Sequence, residues 1–104
     1  MEVKVARDHG TRADGRPFDR ETIEAVWLKG KPEGHYAGFR KDVCNASMHL
    51  SEFGTKNQRG WEIDHIKPVC TGGTDDLENL QPLHWENNRH KADNWPDWSC
   101  KVVS

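Results

Sequence analysis

The sequence predicts a small α+β domain, and three patterns carry that prediction. Residues 61–66 alternate as a strand does, and a second short apolar run spans residues 80–83 after a loop. Residues 84–91 then have helical composition and end shortly before Pro96. A chain of 104 residues has room for one hydrophobic core, so we expect a single domain.

The N-terminal part predicts a polar arm followed by a helix. Residues 1–18 are rich in Arg, Asp and Gly, which favours an extended or mobile arm. Asp19 is expected to cap a helix over residues 20–29. Its inward face carries Ile23, Val26 and Trp27. Residues 35–59 predict only an extended region with turns. We therefore divide the chain into an arm, residues 1–18, and a domain, residues 19–104.

Composition limits how this domain can be stabilised and what it can bind. Only 34% of its residues are hydrophobic, so we expect most of the five tryptophans to lie in the core. The net charge is −2: residues 1–60 hold 11 Lys and Arg against 9 Asp and Glu, whereas residues 61–104 hold 4 against 8. This charge balance argues for strong metal dependence. Because duplex affinity follows the number of phosphates neutralised, it also argues against tight non-specific DNA binding.

The cysteines and the lack of a long apolar run predict a cytoplasmic protein. Cys44, Cys70 and Cys100 are odd in number and widely spaced, which favours free thiols in a reducing compartment over a disulfide. Cys70 is expected to be a small buried residue. No apolar run has the length of a membrane span, and no signal peptide follows Met1.

Four short motifs follow one another between residues 60 and 91. They are Asp64-His65, Gly72-Gly73, Asn79-Leu80-Gln81 and Asn88-Arg89-His90-Lys91. In order and spacing they resemble the core of the HNH endonucleases, the ββα-metal or His-Me finger family, over residues 60–93. The resemblance implies a strand–loop–strand–helix core built around a divalent metal ion.

The resemblance also implies the catalytic pair. His65 takes the position of the general base, and a neutral imidazole is available for that task at physiological pH. Asn79 matches the asparagine that orients the ring. Adjacent residues on a regular strand face opposite sides, which argues against a shared site for Asp64 and His65. The resemblance implies that the pair lies at the strand end beside the metal, where the backbone turns.

The metal ligands implied by the resemblance are Asp64 and Asn88, with His84 as a third candidate. His84 and Asn88 are four residues apart and so one turn apart on a helix. Two oxygen ligands suit Mg²⁺ or Mn²⁺, whereas an added imidazole admits Ni²⁺ or Zn²⁺. Arg89 and Lys91 are expected to contact phosphate oxygens. Asp75, Asp76 and Glu78 are interpreted as a solvated helix start.

These expectations combine into a metal-dependent endonuclease that hydrolyses DNA and leaves a 3′-hydroxyl and a 5′-phosphate. Its partner is DNA rather than a membrane, with specificity supplied by a second protein or by a homodimer. Three alternatives remain: a non-catalytic DNA-binding module of the same fold, a nuclease preferring RNA or branched substrates, and a metal-stapled interaction domain. Ahead of the core, Arg40 and Asp42 are expected to form an ion pair that ties the N-terminal half to it.

Overall fold

The computed structural model describes residues 7–103 and shows two helices and two small antiparallel sheets. The elements are α1 Arg20–Trp27, β1 Lys31–Pro32, β2 Phe39–Lys41, β3 Ser47–His49, β4 Trp61–His65, β5 Leu80–His84 and α2 Trp85–Lys91. One sheet has the order β1-β2-β3, and the other pairs β4 with β5. The predicted α+β class is confirmed. No helix in this part of the chain is long and apolar enough to cross a membrane.

Helix α1 begins where the sequence predicts because Asp19 caps it. The Asp19 carboxylate accepts the backbone N–H of Thr22 at 2.8 Å, which satisfies one of the donors left free in the first turn. The helix ends at Trp27, two residues before the predicted end. Val26 and Trp27 are buried and bring α1 against the β4–β5 sheet.

The core lies between α1 and the inner face of β4–β5. It consists of Phe18, Val26, Trp27, Met48, Trp61, Ile63 and Leu80. The rings of Trp27 and Trp61 lie 5.1 Å apart, and Phe53 packs edge-on against Trp61 at 4.8 Å. The other three tryptophans are partly or fully exposed, Trp95 to 46%. The prediction that most tryptophans are core residues was therefore wrong: α1 and β4 provide the only two that face inward.

Strand β4 is buried on both faces, and this positions the site. Trp61 and Ile63 face the core, whereas Glu62 and Asp64 make their contacts with α2, which crosses the other face. Helix α2 is capped by the His84 ring, whose Nδ1 accepts the N–H of Glu86 at 3.1 Å. Polar positions that alternation alone assigns to solvent therefore lie under a helix.

Asp42 joins the N-terminal sheet to the β4–β5–α2 unit. It is 1% exposed, and its Oδ1 accepts the N–H groups of Cys44 and Ala46, both at 2.9 Å. Its Oδ2 accepts the N–H of His84 at 2.9 Å and Nδ2 of Asn87 at 3.1 Å. We call Asp42, His84 and Asn87 the anchor cluster.

Arg40 takes no part in that connection. Its Nη1 donates to the carbonyl of Gly30 at 2.7 Å, just after α1, and the described residues contain no Arg40–Asp42 ion pair. Asp42 connects the two halves as expected, but the prediction that it does so through an ion pair with Arg40 was wrong. Each oxygen of the Asp42 carboxylate instead accepts hydrogen bonds from backbone or amide N–H groups.

A disulfide between Cys44 and Cys100 closes the C-terminal tail onto the anchor cluster. Asn87 holds the same tail, because its Oδ1 accepts the N–H groups of Lys101 at 2.8 Å and Val102 at 2.7 Å. The prediction of free thiols was wrong for these two cysteines. Free thiols therefore no longer support the predicted cytoplasmic location. Cys70 is a free thiol, but it is exposed rather than buried.

The described part of the arm folds back over β4. Gly10 adopts a φ of +72°, and a Cβ on it would lie 3.3 Å from the Glu62 Cβ, so the backbone approaches the strand closely there. Arg12 and Arg16 close a turn through a 2.8 Å backbone hydrogen bond, and Phe18 enters the core. The sequence predicted an extended or mobile arm; residues 7–18 instead form turns and pack against β4 and the core, and residues 1–6 lie outside the described range.

Candidate active site

Three of the predicted site residues, Asp64, His65 and Asn88, line one cleft at the end of β4, where the chain leaves the sheet. Asp64 and His65 are the last two residues of β4 and pair with Gln81 and Leu80 of β5. Together with Asn88 of α2 they line a cleft of about 310 Å³. Residues 7–10 of the arm form another wall of the same cleft.

Asp64 is buried and held at both carboxylate oxygens. Its Oδ2 accepts Nε2 of Gln81 at 2.9 Å, and its Oδ1 accepts Nζ of Lys91 at 3.2 Å. Burial raises the pKa of Asp64, although the hydrogen bonds from Gln81 and Lys91 act in the opposite direction. Each oxygen of a carboxylate has two lone pairs, so one remains on each for a further partner.

Lys91 is part of the scaffold of the site and is too buried to meet a phosphate. The side chain is 1% exposed, and Nζ donates to Asp64 Oδ1 and, at 3.0 Å, to the backbone carbonyl of His65. The predicted phosphate contact for Lys91 was wrong. A lysine in the last turn of α2 has a long enough stem to reach back to the end of β4.

The His65 ring is held by a carboxylate. Its Nε2 lies 2.8 Å from Oδ1 of Asp75, and its ring centroid lies 5.9 Å from that of Phe18. Burial of Asp75 favours the neutral acid, but hydrogen bonds from His65 and Ala13 outweigh it, and the pKa of Asp75 is lowered. An ionised carboxylate can only accept, so Nε2 is the donor in this hydrogen bond, and in the neutral ring Nδ1 holds the lone pair. No residue in the range 7–103 binds that Nδ1.

Asn79 does not contact the His65 ring, contrary to the expected orienting role. Its Oδ1 accepts the N–H of Lys67 at 2.9 Å, and its Nδ2 donates to the carbonyls of Lys67 at 3.1 Å and Thr74 at 2.9 Å. The Asn79 amide therefore braces the loop that follows His65. Gly73 lies in the same loop, and only glycine fits there because a Cβ would overlap the Lys67 carbonyl.

Asn88 presents an unused oxygen to the cleft. Its Nδ2 donates to Oε1 of Glu62 at 2.8 Å, which fixes which end of the amide faces the strand. Among the described residues nothing donates to its Oδ1. Glu62 thus orients Asn88, a role that the sequence did not reveal because alternation along β4 assigns Glu62 to a solvent-facing position.

Arg89 shares Glu62 but keeps donors free. Its Nε and Nη2 lie 3.3 and 3.0 Å from the two Glu62 carboxylate oxygens, which gives a bidentate pair. The Arg89 side chain is 32% exposed, and a guanidinium has five N–H groups. Arg89 therefore keeps N–H donors that Glu62 does not use, and its phosphate contact stays a prediction.

His84 is remote from Asp64, and both of its ring nitrogens are engaged. It pairs with Trp61 at the other end of the strands, three residues or roughly 10 Å from Asp64. Its Nδ1 caps α2, and its Nε2 donates to the Gln58 carbonyl at 2.8 Å. The prediction of His84 as a third ligand was wrong. The four-residue spacing to Asn88 does not help because His84 lies before the helix.

The remaining donors fit a hard divalent cation. Asp64 and Asn88 line one cleft, and each has an oxygen lone pair that no described residue uses. Within residues 7–103 no three His, Cys, Asp or Glu side chains converge as a metal site. Two protein oxygens suit Mg²⁺ or Mn²⁺, which keep several water ligands, better than Zn²⁺ with its preference for nitrogen and sulfur.

Family comparison agrees with this geometry. No curated protein and no solved structure matches the chain. The HNH endonuclease family model matches residues 42–94, just over half of the sequence, from the anchor residue Asp42 to the segment after α2. The matched region contains both strands of the second sheet, helix α2 and the whole predicted ligand set. The chain therefore belongs to the HNH endonuclease family.

Proposed function

We propose that this protein is a metal-dependent endonuclease that hydrolyses DNA phosphodiester bonds and leaves a 3′-hydroxyl and a 5′-phosphate. One observation carries the proposal. The lone pair of His65 Nδ1, the Asp64 carboxylate and Asn88 Oδ1 belong to residues of one cleft, and their other polar atoms are tied within the protein. Such an arrangement costs little reorganisation when a substrate arrives.

His65 is the proposed general base. Nδ1 accepts a proton from the water that attacks phosphorus, and the resulting imidazolium is stabilised by the Asp75 carboxylate on Nε2. The buried Phe18 ring limits where the imidazole can move. Asn79 contributes indirectly in this scheme, since it holds the backbone of the loop that carries Asp75.

Asp64 and Asn88 are the proposed ligands of one divalent ion. When bound, Mg²⁺ or Mn²⁺ supplies charge neutralisation at the scissile phosphate and at the leaving 3′-oxygen. Gln81 and Lys91 hold the Asp64 carboxylate, and Glu62 holds the Asn88 amide, so both oxygens are oriented before the ion arrives. Without His84, Ni²⁺ and Zn²⁺ are expected to support less cleavage than Mg²⁺ or Mn²⁺.

Arg89 is the proposed phosphate contact. Its guanidinium is partly exposed and pairs with Glu62, the residue that also holds the Asn88 amide. The net charge is −2, and residues 61–104, which hold the proposed base and ligands, carry 4 Lys and Arg against 8 Asp and Glu, so we propose that a protein partner or a second copy supplies affinity and specificity.

The testing experiment is cleavage of supercoiled plasmid in Mg²⁺, Mn²⁺, Ni²⁺, Zn²⁺ or EDTA. We expect nicking in Mg²⁺ and Mn²⁺ for the wild type, and a loss of about 10²–10⁴-fold for His65→Ala. His90→Ala is the matched control, because His90 is exposed on α2 and contacts only Ser99. Equal rates for His65→Ala and the wild type would overturn the assignment. Binding of DNA without cleavage in any metal would instead identify a non-catalytic module.

A further inference from the structure

The carboxylate of Asp75 joins the predicted base to the N-terminal arm. Oδ1 accepts from His65 Nε2 at 2.8 Å and from the backbone N–H of Ala13 at 2.9 Å. Oδ2 lies 3.8 Å from Nε of Arg12. That Nε is buried and has no hydrogen-bond partner, so its interaction with Asp75 is electrostatic. The end of β4 and the N-terminal arm thus converge on the Asp75 side chain.

A turn in the arm directs the Ala13 N–H and the Arg12 side chain towards Asp75. Arg12 N–H donates to the Arg16 carbonyl at 2.8 Å, and Gly15 N–H donates to the Arg12 carbonyl at 2.8 Å. This tight turn sets the direction of the Ala13 N–H. On either side of the turn, Gly10 approaches Glu62 of β4 and Phe18 is buried beside the His65 ring.

We propose that Asp75 is the positioning residue of His65, and that the arm, residues 7–18, completes the active site by holding Asp75 through Ala13 and Arg12. This inference rests on the proposed role of His65 as the base. It extends the site beyond residues 42–94, the range of the family match. It also assigns a functional role to residues 7–18, which composition alone identifies only as part of a polar arm.

The chemistry requires such a partner. The proton on one imidazole nitrogen is fixed by the hydrogen bond that this nitrogen makes, and only the other nitrogen can then act as a base. A carboxylate on Nε2 selects the form with the lone pair on Nδ1 and favours the imidazolium that forms on proton transfer. Asn79 cannot serve, because its amide is committed to Lys67 and Thr74.

The test compares Asp75→Ala and Asp75→Asn with the control Asp76→Asn. Asp76 is the exposed neighbour, and among the described residues its carboxylate accepts a hydrogen bond only from the Thr74 hydroxyl. In Mg²⁺ with duplex DNA we expect Asp75→Ala to lower kcat by about 10–100-fold with little change in KM. Asp75→Asn retains an acceptor oxygen and should recover part of the loss. A kcat for Asp75→Ala within about twofold of the wild type would overturn the proposal.

A second measurement does not depend on cleavage. Long-range ¹H–¹⁵N spectra of the histidine rings report which nitrogen of His65 carries the proton. We expect the proton on Nε2 in the wild type and in Asp76→Asn, and a mixture of the two forms in Asp75→Ala. An unchanged His65 spectrum in Asp75→Ala would reject the positioning role. If the wild type cuts no DNA, the proposed nuclease function fails, while these spectra still decide the role of Asp75.

The contribution of the arm is tested with Arg12→Ala against Arg16→Ala. Arg16 pairs with the exposed Asp14 and has no contact with Asp75. We expect Arg12→Ala to lower kcat by roughly 3–10-fold at constant KM, since it weakens a positioning contact without removing it. Equal kcat values for the two variants would confine the positioning role to Asp75 and remove the arm from the site.

Discussion

Asn87 and Asn88 are neighbours on α2, yet Asn87 belongs to the anchor cluster whereas Asn88 lines the cleft. Asn87 uses its amide fully: Nδ2 donates to Asp42 and to the Val102 carbonyl, while Oδ1 accepts two backbone N–H groups. Asn88 donates to Glu62, and no described residue donates to its oxygen. Both side chains are buried, so exposure does not separate them. What separates them is the hydrogen-bonding capacity that remains.

The same contrast holds between the anchor cluster and the cleft. At the anchor, each oxygen of Asp42 accepts two N–H groups, and both His84 ring nitrogens are bound. At the cleft, His65 Nδ1 and Asn88 Oδ1 have no partner among residues 7–103. One end is satisfied internally and gives stability, whereas the other keeps acceptors for a ligand. Variants at the two ends should therefore fail in different ways.

The largest effect on stability is expected from Asp42→Ala. The change leaves four N–H donors around a buried site without their acceptor, and we expect the free energy of unfolding to fall by roughly 3–5 kcal/mol. Urea unfolding followed by tryptophan fluorescence measures it. The conservative variant Asp42→Asn keeps one acceptor oxygen and should lose less. A loss below about 1 kcal/mol for Asp42→Ala would mean that the anchor does not hold the halves together.

Removing the disulfide should give the next largest loss. The Cys44–Cys100 bridge spans 56 residues, so its reduction or Cys100→Ser should lower the free energy of unfolding by about 2–4 kcal/mol. Thermal unfolding with and without dithiothreitol measures the effect, and Cys70→Ser is the matched control. While the protein stays folded, plasmid cleavage should be unaffected because the bridge lies at the anchor end. Loss of cleavage without loss of folding would show that the two ends are coupled.

The asparagine pair distinguishes the two ends directly. Asn88→Ala removes a proposed ligand and should weaken Mn²⁺ binding, measured by titration calorimetry, by about 10–100-fold. Asn87→Ala leaves the backbone N–H groups of Lys101 and Val102 and the Val102 carbonyl without their partner, so it should cost about 2–4 kcal/mol of stability. Its Mn²⁺ affinity in the folded state should match the wild type. The reverse pattern would exchange the roles of the two residues.

The second sheet and α2 could be predicted from the sequence because their signals are local. Alternation along residues 61–66, the break at Pro68 and the helical composition after His84 lie within single elements. The Asp64-His65 pair and Asn88 belong to motifs of a few neighbouring residues, which can be identified without knowing the fold. Three short strands between residues 31 and 49 escaped prediction, because strands of two or three residues carry almost no periodic signal.

The errors concern residues whose role depends on a distant partner. His84 satisfies the spacing for a ligand, but its Nε2 is bound to the carbonyl of Gln58, 26 residues earlier in the chain. Lys91 has the charge of a phosphate contact, but β4 buries it against Asp64. Asp75 resembles a solvated helix start until the loop folds onto His65. Long-range packing decides all three cases, and a single sequence contains no direct record of it.

The smallest effect expected is a pH dependence of stability caused by Asp64. Burial raises its pKa above 3.8, so the folded state retains this proton to a higher pH than the unfolded chain does. In metal-free solution the wild type should therefore lose stability relative to Asp64→Asn as pH rises from about 3.8 through the raised pKa of Asp64. The difference grows by about 1.4 kcal/mol for each unit by which the pKa is raised, and is constant above it.

Thermal unfolding in EDTA between about pH 3 and pH 7 measures this difference. Asp93→Asn serves as a control, because Asp93 lines the same cleft but is exposed. Metal reverses the sign, since an ion bound to the ionised Asp64 adds stability at the high-pH end of the range. A wild type that gains stability over Asp64→Asn in EDTA would mean that Lys91 and Gln81 more than offset burial. The acidic residue of the cleft would then be as well satisfied as Asp42 at the anchor.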